Sequence, residues 1–101
     1  MLDRDYVRLM AEYNAWMNGK VYAACATLDD AERKRDRAAF FKSIHGTLNH
    51  ILVGDGLWMG RFENRPVQWH GHAYELHADF VGLRHARVAM DGRIEIGRAH
   101  V

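Results

Sequence analysis

Apolar residues recur every three or four positions through the first quarter of the chain, which is the period of a helix with one apolar face. This first stripe, widened by Leu9 and Trp16, consists of Tyr6, Met10, Tyr13, Met17, Val21, Ala24 and Leu28. It predicts a long amphipathic helix over residues 3–28, with Asp3 as N-cap and the stripe packed against the rest of the protein. Asn14 and Asn18 are poor helix formers in its interior, so they are expected either to face solvent or to line an interior polar pocket.

Two further stripes of the same period follow. The second predicts a helix from about residue 38 or 43 to about residue 64, and its members are Ile44, Leu48, Ile51, Asp55, Trp58 and Phe62. The nearly all-charged residues 30–37 before it are expected to form at best a short solvated turn of helix. After a loop over residues 64–71, which carries the only proline, the third stripe predicts a helix over residues 74–95. Its members are Leu76, Phe80, Leu83, Ala86 or Arg87, Met90 and Ile94.

The class is therefore all-α, because no segment alternates with the period of a strand. The first two stripes are about 25 residues, or close to 40 Å, long at 1.5 Å per residue, and a single shorter third helix covers them poorly. At least one more helix of about 20 residues is expected to close the bundle. The sequence thus predicts an incomplete four-helix bundle, with three helices present and the fourth missing.

The last six residues, Ile96–Val101, correspond to the translation of a common sequencing adapter. We therefore expect residues 1–95 to be the N-terminal part of a longer helical protein, and residues 96–101 to be a non-native tail outside the fold. Without Arg98 the Lys+Arg count falls from 14 to 13 and equals the 13 acidic residues, so the net charge changes from +1 to zero.

Composition excludes several classes of protein. The chain has 101 residues, 49% of them hydrophobic, which suits one small folded domain. The near-neutral charge argues against a nucleic-acid partner, and no apolar run approaches the length of a membrane span. A lone cysteine and an N-terminus unlike a signal peptide predict a cytoplasmic protein, and the richness in Arg, Ala and Gly suggests a bacterial source.

His50 is the strongest candidate for chemistry. Gly46 and Gly54 lie one turn before and after it, so on a helix the imidazole projects from a strip of small side chains with room for a metal or a ligand. The alternative is a buried histidine satisfied by one hydrogen bond, and spacing alone does not decide between them. No two histidines stand three or four residues apart, so the chain holds no two-ligand helical metal motif.

Asp55 is unusual because a carboxylate within an apolar stripe is costly to bury unless it is hydrogen-bonded or paired. Either it bonds to a neighbouring Tyr, Trp or Arg, or it orients a metal-ligating histidine from another helix. His45 is expected at the surface.

The loop and the start of the third helix carry His70, His72 and His77 with Glu75 and Asp79. A solvated segment is the favoured interpretation, and a weak adventitious metal site is the alternative. His85 and Cys25 are not candidates. His85 falls on a polar face, and Cys25 has no basic residue within a turn, so it is expected to pack as an inert thiol.

Three segments resemble the DinB family of damage-inducible proteins, and the resemblance extends from Leu2 to Glu95. They are YNAWMN at residues 13–18, AFFKSIHGTLNHILVGDGLW at residues 39–58, and DFVGLR at residues 79–84. The most specific part is Thr47-Leu48-Asn49-His50 with Asp55 and Trp58 downstream.

The resemblance implies a four-helix bundle of up-down-down-up connection that binds a divalent cation, nickel or zinc, through three histidines. One is on the second helix and matches His50; the other two, one turn apart on a fourth helix, have no counterpart in this chain. Related members of the wider superfamily act on small molecules with low-molecular-weight thiols such as bacillithiol or mycothiol. The complete protein would then be a metal-dependent transferase or hydrolase, and this fragment would be inactive.

Two other classes remain open. One is a non-catalytic helical module that binds a ligand or forms a homodimer, in which His50 is only a core polar residue. The other is a DNA-binding response protein, which the family's name suggests and the zero net charge of residues 1–95 disfavours.

Overall fold

The computed structural model describes residues 4–68, 71 and 75–98, and within them the regular elements are helices. They are α1 (Arg4–Ala26), α2 (Asp30–Lys34), α3 (Ile44–Phe62) and α4 (Phe80–Arg98). The all-α class is confirmed, but the described part of the chain holds four helices rather than three. The fourth is not an additional long helix, because α2 is the short turn predicted from the charged residues 30–37.

Side chains that accept hydrogen bonds from backbone N–H groups fix where α3 and α4 begin. Ser43 caps α3 with its Oγ, which accepts the Gly46 N–H at 2.9 Å, so the later of the two predicted starts is right. Asp79 precedes α4, and its Oδ2 accepts the Gly82 N–H at 2.8 Å. The predicted start of the third helix at Tyr74 is wrong, because residues 75–79 are not helical and this hydrogen bond starts α4 at Phe80.

The C-terminal boundary also differs from the prediction, since α4 continues past Glu95 to Arg98. Gly97 is buried: a Cβ added there would lie 3.0 Å from Met59 Cε and 3.1 Å from Phe62 Cε1. Residues 96–98 therefore extend the helix, although they were expected outside the fold.

The helix α4 lies between α1 and α3 and packs against both. It is antiparallel to α1, because Tyr22 near the end of α1 stacks on Phe80 at the start of α4, whereas Asn14 of α1 contacts Asp91 further along α4.

The helices α3 and α4 are parallel. Asp55 in the middle of α3 contacts Arg87, and Phe62 at the end of α3 lies beside Gly97 near the end of α4. The long helices therefore run up, down and down, which are the first three directions of the predicted bundle. A fourth long helix is not among the described residues.

The core forms where these helices meet. Its buried hydrophobic residues are Val7, Ala11, Tyr22, Leu48, Leu52, Met59, Phe80, Leu83, Met90 and Ile94. Four members of the third stripe are among them, and Arg87 is buried beside them, so the predicted buried face of α4 is confirmed. The stripe's first member, Leu76, precedes α4 and is 42% exposed.

The predicted buried face of α1 is wrong. Tyr6, Leu9, Tyr13 and Trp16 are each more than half exposed, whereas the neighbouring residues Val7, Ala11 and Tyr22 are buried. These three residues and the two asparagines, Asn14 and Asn18, are also spaced three or four positions apart. This second set faces α4. The asparagines decide the orientation because both hydrogen-bond to Asp91 of α4.

A similar rotation occurs in α3. Leu48 is buried as predicted, but Ile51, Trp58 and Phe62 are 47%, 70% and 55% exposed. Both helices therefore keep large apolar side chains at the surface. The expected shorter third helix is not the reason at α3, because α3 and α4 both have 19 residues. Within the described residues, no helix combines the length and the apolar character needed to cross a membrane.

Candidate metal centre

His50 lies in the first half of α3, is half-buried, and stacks on Phe41 with ring centroids 3.8 Å apart and planes 20° apart. It stands two residues from both Leu48 and Leu52, which belong to the buried core. Two residues turn about 200° around a helix, so His50 is on the side of α3 away from these core residues. His50 is therefore half-buried outside the core, and whether it is a metal ligand or a histidine satisfied by one hydrogen bond stays a prediction.

The two glycines beside His50 differ in their surroundings. A Cβ at Gly46 would lie 2.4 Å from the carbonyl oxygen of Phe41, so this glycine permits the close approach of the preceding connection. A Cβ at Gly54 would meet no atom within 4 Å. The room predicted beside His50 therefore exists toward Gly54 only.

Asp55 forms an ion pair with a buried arginine, Arg87, as in the first of its two predicted roles. The Asp55 Oδ2 accepts a hydrogen bond from Arg87 Nη2 at 2.6 Å. Arg87 also donates from Nε and Nη2 to Oδ1 of Asp91, at 2.9 and 2.7 Å. Within the described residues Asp55 pairs with an arginine and forms no ion pair with a histidine.

The same oxygen of Asp91 accepts hydrogen bonds from α1. Asn18 donates from Nδ2 at 3.0 Å and Asn14 at 3.4 Å. Of the two predicted environments for these asparagines, the interior polar one is correct. Asp91 thus joins α1 to α4, while Arg87 joins α4 to α3.

Burial makes this network energetically demanding. The side chains of Arg87 and Asp91 are 3% and 9% exposed, and removing such ions from water costs several kcal/mol each unless they are paired and hydrogen-bonded. Burial also raises the pKa of the adjacent Tyr22 to about 12, an effect that the nearby Arg87 charge reduces. The sequence signal for the network was an Arg–Asp pair four residues apart at the edge of the third stripe.

His45 is buried, and the prediction that it lies at the surface is wrong. It is 2% exposed, and its Nε2 lies 2.8 Å from Oε1 of Glu75 without the alignment of a hydrogen bond. The physical reason is its register: His45 is three residues before Leu48 and seven before Leu52, on the face of α3 that is buried.

The other candidates have structural roles where they are described. Asn49 fixes the main chain at His77, accepting its N–H at 2.9 Å and donating to its carbonyl oxygen at 3.1 Å. The hydrogen bond that the Gly82 N–H donates to Asp79 lowers the pKa of that carboxyl group. His70 and His72 lie outside the described residues.

His85 is exposed and Cys25 is half-buried against the core, as predicted. Burial raises the pKa of the Cys25 thiol, which keeps the thiol protonated and unreactive at neutral pH.

Across residues 4–68, 71 and 75–98 no group of three or more His, Cys, Asp or Glu side chains could hold a metal ion. His50 is thus a single candidate ligand, facing away from the core, in the part of the chain that the structure describes.

Comparison with known proteins gives a family but no individual relative. The model of the DinB family matches residues 1–95. No curated protein and no solved structure matches the chain significantly. Since the matched region is nearly the whole of the sequence, the chain belongs to the DinB family.

Proposed function

We propose that this chain is part of a divalent-cation-binding DinB protein and that it contributes His50 as one ligand. The observation that carries the proposal is the position of His50 on the side of α3 away from the core, with open space toward Gly54. An imidazole in that position lies on a face of α3 that α4 does not cover, where a further helix would pack. Nickel and zinc are the cations that the proposal names, because imidazole suits both.

The described residues do not by themselves fit a cation, because one neutral imidazole does not hold a divalent ion against water. The proposal therefore includes ligands outside these residues, namely two histidines one turn apart on a further helix. The reaction class belongs to the same proposal: a cytoplasmic enzyme acting on a small molecule, either as a transferase that uses a low-molecular-weight thiol or as a hydrolase.

Metal content tests the proposal. The locus is resequenced past Glu95, and the longer polypeptide that it is proposed to encode is purified alongside residues 1–101. The zinc and nickel content of each protein is measured by elemental mass spectrometry. The longer polypeptide is expected to carry about one ion per chain, residues 1–101 none, and the His50→Ala variant of the longer polypeptide none. His85→Ala is the matched control, since His85 is exposed on α4. Stoichiometric metal in residues 1–101 or in His50→Ala contradicts the proposal.

The exposed apolar residues favour a second candidate, a non-catalytic helical module that associates with a copy of itself. Trp16 and Trp58 are 54% and 70% exposed, and large exposed apolar surfaces are typical of interaction sites. Light scattering after gel filtration at two concentrations tests this candidate. A monomer at both concentrations excludes the homodimer, and a dimer without bound metal in the longer polypeptide favours it over the metalloprotein.

A further inference from the structure

A cavity of about 480 Å³ lies at the start of α3, away from the Arg87 network. Its lining includes Lys34, Phe40, Phe41, Lys42, His45 and Glu75. We propose that this cavity binds a small aromatic carboxylate, whose carboxylate lies against His45 and whose ring packs on the two phenylalanines. This proposal does not rest on the proposed metal site, although Phe41 of the cavity wall also stacks on His50.

A buried imidazole without hydrogen bonds forms part of the cavity wall. The His45 side chain is 3% exposed, and neither of its ring nitrogens has a hydrogen-bond partner among the described residues. Leaving such groups unsatisfied costs free energy, so a ligand that supplies a hydrogen bond is favoured there.

The first turn of α3 adds backbone donors next to His45. Ser43 accepts hydrogen bonds from two N–H groups of this turn. Its Oγ accepts the Gly46 N–H, and its carbonyl oxygen accepts the Thr47 N–H at 2.9 Å. The N–H groups of Ile44 and His45 stand before the first intrahelical hydrogen bond and have no acceptor within the helix. They form the positive end of the helix dipole, where a carboxylate is stabilised.

Two lysines line the cavity, and one of them is available for a ligand. The Lys34 ammonium lies 3.1 Å from Asp30 Oδ2 and is already paired. Lys42 forms no ion pair with any carboxylate of the described residues and is exposed. Its charge therefore favours an anionic ligand.

Glu75 shows that a carboxylate fits beside His45. Its Oε1 lies 2.8 Å from the imidazole, although half of its side chain is exposed to solvent. The other acidic residue of the lining, Asp36, accepts the Ala38 N–H at 2.9 Å. We infer that the ligand's carboxylate displaces Glu75 and takes its place at His45.

The aromatic part of the ligand follows from Phe40. This side chain is 81% exposed and packs edge-on against Phe41, with centroids 4.8 Å apart and planes 76° apart. A planar ring bound here would bury the Phe40 ring and gain an aromatic contact.

Titration with benzoate, followed by NMR, tests the proposal on the 101-residue chain. Benzoate is expected to move the resonances of the His45 and Phe40 rings and to bind about 3- to 10-fold more tightly than acetate, which lacks the ring. Equal affinity for the two probes, or no shift at these rings, overturns the proposal.

Charge variants test the displacement of Glu75. Glu75→Gln is expected to tighten benzoate binding about 2- to 5-fold and Lys42→Gln to weaken it by a similar factor, while the control Lys20→Gln on α1 changes nothing. All three positions are exposed, so the variants are expected to fold. Unchanged or weaker binding by Glu75→Gln overturns the proposed displacement.

Discussion

Arg87 donates two hydrogen bonds to a single oxygen of Asp91, one turn later on α4, from Nε at 2.9 Å and from Nη2 at 2.7 Å. Through Asp55 and the two asparagines of α1, this pair connects the three long helices. Ion pairs and hydrogen bonds therefore connect the three long helices inside the bundle, in addition to apolar packing.

Arg87→Leu is expected to lower the free energy of unfolding by about 3–5 kcal/mol, because two carboxylates are left without their buried counter-ion. Urea denaturation monitored by circular dichroism measures the loss. Arg93→Leu is the matched control, since Arg93 pairs with Glu63 at the exposed edge of the same two helices and its loss should cost far less. Equal losses for the two variants would mean that the network does not stabilise the bundle.

The orientation of α1 predicts unequal costs for two leucine truncations. Leu83 is fully buried and Leu9 is 61% exposed. Leu83→Ala should destabilise the chain by about 2–5 kcal/mol, and Leu9→Ala by no more than about 0.5 kcal/mol, in thermal or urea unfolding. A cost at Leu9 that matches Leu83, or that appears only at high protein concentration, would show that the first stripe is covered by another copy.

Ser43→Ala should cost about 1 kcal/mol in urea unfolding, because α3 loses the acceptor for the Gly46 N–H. Ser43→Asp retains a capping oxygen and should preserve stability. If both variants are equally destabilised, the start of α3 depends on the preceding connection rather than on its cap.

Stability should fall at alkaline pH because of Tyr22. Burial raises the pKa of Tyr22 to about 12 in the folded chain, above the usual value of 10. The unfolded chain therefore loses this proton first, and stability that is intact below pH 10 is lost as the pH rises toward 12. Circular dichroism against pH should place unfolding of Tyr22→Phe at a higher pH than the unsubstituted chain. Tyr13→Phe, at a half-exposed position, should not move it.

The spacing of apolar residues predicted the three long helices and the buried face of α4, but not which faces of α1 and α3 are buried. In α1 two sets of positions have helical period, and the more apolar one is exposed, because Asn14 and Asn18 pair with a carboxylate on α4. Hydrophobicity alone favours the other set. The decisive partner, Asp91, is more than 70 residues away along the chain and carries no local signal.

The candidate site was predictable to a similar extent. The motif identified His50 as a candidate ligand. The space beside Gly46 is closed by the carbonyl oxygen of Phe41, and the spacing of residues does not predict the conformation of this preceding connection. His45 was predictable in principle, since it shares helical register with Leu48 and Leu52. The wrong expectation came from its five-residue offset from His50, which points the two side chains in different directions.

Calorimetric titration with zinc tests the central claim, that His50 is a metal ligand, most directly. The proposed longer polypeptide, which would extend past Glu95, is compared with its His50→Ala and His85→Ala variants at pH 7. We predict one zinc ion per chain for the unsubstituted protein and for His85→Ala, and loss of that binding for His50→Ala. Unchanged zinc affinity in His50→Ala would contradict the account.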